Sequence, residues 1–83
     1  MGLFKSYAEK ELEEILHRLD MNMSNNYKDN AQSNFREFES RLSELRDSGK
    51  LKGKALEKFD RFHGEYTEKL KGYTHKDQKP YWH

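Results

Sequence analysis

The chain has 83 residues, 33% of them hydrophobic and 37% charged, with 16 Lys and Arg against 15 Asp and Glu. That length allows one domain with a small core, and the near balance of charge argues against disorder driven by self-repulsion. Cysteine is absent, which excludes disulfides, zinc–thiolate sites and thiol chemistry, and no apolar run approaches the ~20 residues of a membrane span.

Composition also selects the secondary structure. There is no Val, and Ile15 is the only Ile. Strands favour β-branched residues, whereas Leu, Glu, Lys and Arg form helices well. The expected fold is all-α, a small three-helix up-down-up bundle with helices at about 4–20, 26–47 and 53–72 and an irregular C-terminal tail. Residues 1–73 would form the bundle and 74–83 the tail.

In the first helix Phe4, Ala8, Leu12, Ile15, Leu16 and Leu19 fall at helical spacing, with Tyr7 on the shoulder of the stripe. Glu9, Glu11, Glu13 and Glu14 occupy its first half, which suits the positive end of the helix dipole. Met21 to Asn26 reads as a connection, because Ser and Asn compete for local backbone hydrogen bonds. Ser24 or Asn25 is the expected cap of the next helix. Asp29 and Gln32, at capping-box spacing, mark an alternative start.

The second helix carries Ala31, Phe35, Phe38, Leu42 and Leu45 at alternating steps of four and three, the narrow seam of coiled-coil-like packing. The seam is expected to build the chain's own core, with a homodimer through Phe35, Phe38, Leu42 and Leu45 as the alternative. Residues 45–56 then read as the tight turn of a helical hairpin. Gly49 stands where a helix end needs positive φ, and Leu51 is an apolar plug in a polar turn. Counting outward from the turn pairs Leu45 with Leu56, Leu42 with Phe59, Phe38 with Phe62, Phe35 with Tyr66 and Ala31 with Leu70.

Ala55, Leu56, Phe59, Phe62, Tyr66 and Leu70 form the stripe of the third helix, and Gly72 is its expected stop. Gly64, off that stripe, is either a surface glycine or a point of close approach by helix one. The tail from Thr74 to His83 holds the only Trp and the only Pro, and Pro80 disfavours helix just before it. Charge is uneven along the chain. Residues 1–20 carry three cationic against five anionic side chains, residues 21–47 four against five, and residues 48–83 nine against five. An acidic first helix beside a basic third would satisfy that imbalance.

No catalytic constellation is visible, and no enzymatic activity or cofactor is expected. Glu14 and His17 match the Glu-x-x-His spacing of carboxylate-bridged metal bundles, and Asp60 with His63 is a weaker echo. At 100° per residue, however, Glu14 and His17 point away from the apolar stripe, as does Asp60, so no metal site is expected. Lys50, Lys52, Lys54, Lys58 and Arg61 cluster at and after the turn, a pattern suited to phosphates. Tyr81 and Trp82 follow Pro80 in the tail, and such aromatics anchor protein interfaces. In a hairpin, the basic turn and the aromatic tail lie at opposite ends, roughly 30 Å apart.

The expected function is therefore a non-catalytic protein–protein interaction module contacting its partner through Tyr81 and Trp82. The alternative is a nucleic-acid accessory protein using the basic turn. The start Met1-Gly2-Leu3-Phe4-Lys5 lacks the apolar core of a signal peptide, so the expected location is the cytoplasm. Met1 to Ser6 also fits the N-myristoylation pattern, and Asn22-Met23-Ser24 is a formal glycosylation sequon.

Overall fold

The computed structural model describes residues 6–78, and among them three helices: α1 (Tyr7–Ser24), α2 (Lys28–Asp47) and α3 (Gly53–Gln78). The all-α, three-helix architecture is the one expected from composition and periodicity. The cross-chain contacts set the directions. Arg41 meets Glu11 and Arg18 meets Glu37, so α2 runs antiparallel to α1. Lys58 meets Glu9 and Glu13 while Tyr66 meets Asp20, so α3 runs parallel to α1.

The first helix begins at Ser6, whose Oγ accepts a hydrogen bond from the Glu9 N–H at 3.1 Å. Phe4 and the Met1–Lys5 segment lie outside the described residues. The helix then continues past Asp20 through Met21, Asn22 and Met23, where a connection was expected. Met is a good helix former, Met23 packs against the core, and the Asn22 amide donates to Asn34 Oδ1 across the helix pair at 2.6 Å. These tertiary contacts outweigh the local preference of Asn and Ser for turns. With its amide held inside the helix pair, Asn22 is poorly placed as a glycosylation acceptor.

Both α1 and α2 end in the same motif. At the end of α2, the Gly49 N–H bonds the Arg46 carbonyl and the Lys50 N–H bonds the Leu45 carbonyl, with Gly49 at φ +79°. At the end of α1, the Asn26 N–H bonds the Met23 carbonyl and the Tyr27 N–H bonds the Asn22 carbonyl, with Asn26 at φ +65°. This is the Schellman pattern, in which a left-handed residue closes the orphan carbonyls. Asn26 thus ends α1, and neither Ser24 nor Asn25 caps α2. Tyr27 stands at the N-cap of α2 without a side-chain hydrogen bond to the helix.

The core is formed by Ala8, Leu12, Ile15, Leu16 and Leu19 of α1, Ala31, Phe35, Phe38, Leu42 and Leu45 of α2, and Phe59, Tyr66 and Leu70 of α3. Leu51 is buried from the turn, as its apolar character in that polar segment required. Phe35, Phe38, Leu42 and Leu45 are all enclosed within the chain. A homodimer through that seam would have to open the bundle.

The α2–α3 seam departs from the expected pairing. Phe38 packs on Phe59 with ring centroids 6.4 Å apart, and Phe35 stacks on His63 at 5.2 Å. Phe62 is displaced to the flank, where it borders Leu16 and His17 of α1. The physical reason is periodicity. Phe59, His63, Tyr66 and Leu70 repeat at four, three and four, matching the seam of α2, and Phe62 falls one residue off that line. Gly64 is exposed, and a Cβ added there would meet no atom within 4 Å, so it is a surface glycine. The backbone of α3 continues through Gly72 to Gln78 rather than stopping at the glycine. A helical Gly costs only ~1 kcal/mol, and the restriction imposed by Pro80 falls on the residue before it.

Candidate functional site

Three polar clamps tie α3 to the α1–α2 pair. Lys58 Nζ sits between the carboxylates of Glu9 at 3.8 Å and Glu13 at 3.7 Å, and it also lies 4.9 Å from the Phe59 ring centroid. His63 Nε2 is 2.9 Å from Glu39 Oε2, with its ring stacked on Phe35. The Tyr66 hydroxyl donates to Asp20 Oδ1. Burial, the hydrogen bond to Asp20 and the charges of Asp20 and Glu65 all push the Tyr66 phenol above its ordinary range. The acidic α1 does face basic α3, through Lys58.

A fourth clamp joins α1 to α2. Arg41 donates through Nε to Glu11 at 2.7 Å and through Nη1 to Glu44 at 2.7 Å. The hydrogen bond from Arg41 holds the Glu11 carboxyl below its usual value against a smaller opposing effect of burial. The charges of Arg41 and Lys50 add to the lowering.

The metal-like pairs are taken apart by the fold. Glu14 lines a groove with Tyr7, Lys10, Glu11 and Arg41, whereas His17 lines a different groove with Glu13, Asp20, Phe62 and Tyr66. Asp60 is exposed while its neighbour His63 is turned to Glu39. Among the described residues no group of three or more potential ligands comes together.

The five basic residues of the turn region separate into two sets. Lys50, Lys52 and Lys54 are exposed at the tip of the hairpin. Lys58 is half-buried and engaged by Glu9 and Glu13. Arg61 is exposed two turns further along α3, about 10 Å from Lys54 along the axis. Tyr81 and Trp82 lie outside the described residues.

Sequence reasoning missed two side chains at the ends of the bundle. Tyr7 is 88% exposed at the start of α1, in a groove with Lys10, Glu11, Glu14 and Arg41. Tyr27 is 57% exposed at the start of α2, with Met21 50% exposed nearby in the chain. Tyr7 was legible only as the shoulder of a stripe. Tyr27 had a clearer signal, an aromatic following three polar residues where a capping side chain was due.

Compared with known proteins, the chain matches no family model, no curated protein and no solved structure. Among the described residues no helix is long and apolar enough to cross a membrane.

Proposed function

We propose that the protein is a non-catalytic interaction module that contacts a partner protein through the end of the bundle formed by the α1–α2 connection. The observation that carries this reading is Tyr27. An N-cap favours Ser, Thr, Asp or Asn, whose side chain satisfies an orphan N–H, and replacing such a residue with a non-capping one costs about 1 kcal/mol. This chain instead presents an exposed aromatic there, following an Asn held at positive φ. Positions that break a local rule without packing gain are where function is expected. Met21 adds a second exposed apolar side chain at the same connection.

Tyr27→Ser tests the reading, because it removes the aromatic while supplying the missing cap. The variant should melt at a higher temperature than the parent and lose capture of the partner in pull-downs from the source cell. Retention of the same captured protein by Tyr27→Ser combined with Met21→Ser would overturn the proposal.

A further inference from the structure

We infer that the opposite end of the bundle binds single-stranded nucleic acid, with Lys50, Lys52 and Lys54 on phosphates and Tyr7 stacked on a base. This surface is separate from the one at Tyr27, and each stands or falls alone. The turn from Ser48 to Leu56 contains three lysines and no acidic residue. Four of the carboxylates near it are engaged, while Glu57, one residue past the turn, is exposed. Glu9 faces Lys58, Glu11 and Glu44 are held by Arg41, and Asp47 pairs with Arg46 at 3.3 Å. Three lysines against the single exposed Glu57 leave the tip with a net positive charge.

The fold adds an aromatic to that charge. Glu9 of α1 reaches Lys58 of α3, and Glu11 of α1 reaches Arg41 in the last third of α2. The first turns of α1 thus lie at the same end of the bundle as the turn. Tyr7 is 88% exposed at the start of α1, in a groove with Lys10, Glu11, Glu14 and Arg41. An exposed phenol ring at the same end as a cluster of lysines is a combination that suits single strands, since every base offers a face to stack on. An acidic peptide would need the lysines alone. A duplex would need a basic helix face long enough to follow a groove, and Lys58 and its α1 partners interrupt such a face on α3. Arg61 extends the track for a flexible strand.

Fluorescence anisotropy with a labelled oligo(dT) of about 12 nucleotides tests the inference. Three phosphate contacts on a single strand correspond to a slope of log K against log salt of roughly −2, so a tenfold rise in salt should weaken binding about 100-fold. The K50E/K52E/K54E variant should bind at least roughly tenfold more weakly at low salt and show a flatter salt dependence. Tyr7→Ala should weaken oligo(dT) binding by about tenfold, Tyr7→Phe should restore it, and neither should change binding of inorganic polyphosphate, which has no bases. Absence of binding at low salt would sink the inference, as would a triple variant that binds like the parent. Polyglutamate displacing the oligonucleotide equally well from parent and Tyr7→Ala would show a surface for acidic protein instead, which also overturns it.

Discussion

The two interfaces of the bundle are built differently. The backbones of α1 and α2 run close together along their length, while α3 stands further off. The buried side chains of α1 are all aliphatic, Ala8, Leu12, Ile15, Leu16 and Leu19, and α2 buries Ala31, Leu42 and Leu45 beside Phe35 and Phe38. The third helix reaches the pair through rings instead, with Phe59, Phe62, His63 and Tyr66 contacting the other helices or the core from a distance. Close backbone packing along two whole helices distributes its stabilisation over many modest contacts. An attachment through a few large rings concentrates it, so α3 is the helix that single substitutions should release.

The largest effect is expected at Phe59, which is fully buried against Phe38. Phe59→Ala should cost about 3–5 kcal/mol, read as a shift in urea midpoint by circular dichroism. That loss is a large fraction of the stability of any domain this small. Ala8→Gly, at the edge of the α1–α2 seam, should cost only about 1 kcal/mol by helix propensity. Equal losses at the two sites would break the contrast.

Alkaline pH separates the interfaces in a second way. The Tyr66 phenol is raised above its unfolded value of 10.0 by burial and by Asp20. Its contribution is fully present below that pH and is lost as pH rises toward the higher folded value, because the unfolded chain then gives up a proton that the folded chain keeps. Urea midpoints should fall above pH 10, and Tyr66→Phe should remove the part of that fall due to this phenol. For Glu11 the sign reverses. Its folded value is depressed below 4.5, so the Arg41 clamp stabilises above that pH and fades as the solution is acidified through the folded value. Arg41→Met should flatten the acid limb of a stability profile.

His63 sharpens the comparison at smaller amplitude. Its stacking on Phe35 and its pairing with Glu39 together suggest about 1–2 kcal/mol for His63→Ala in the same urea assay. A double-mutant cycle with Phe35→Leu should show coupling, since the rings touch. The two Schellman ends give the smallest pair. Gly49→Ala should cost about 1 kcal/mol from its left-handed backbone, although the added Cβ meets no atom within 4 Å. Asn26→Ala should also cost about 1 kcal/mol, because the backbone there is likewise left-handed at φ +65°.

Much of the fold was legible because helical periodicity is local. The steps of four and three from Ala31 to Leu45 identified the face of α2 that is buried, and Gly49 announced a left-handed helix end. His63 was passed over as a seam residue because its type is polar, although its position continued the line from Phe59 to Tyr66. The end of α1 was read too early because Asn22 and Ser24 favour turns in isolation. Of the candidate sites, the lysines of the turn were legible as charge, but Tyr7 and Tyr27 were not, since exposure is a property of packing.

Sequence by itself determined the helical class, the three helices, the buried faces of α1 and α2, the hairpin turn and the plug Leu51. Each follows from spacing or from the conformational limits of a single residue. Tertiary structure alone decided that Lys58 is engaged by α1, that Glu14 and His17 face different grooves, that His63 rather than Phe62 meets α2, and that Tyr7 stands exposed at the same end of the bundle as the turn. Those outcomes depend on which faces of separate helices meet, and that is set by how whole side chains pack around a shared core rather than by any segment's own pattern.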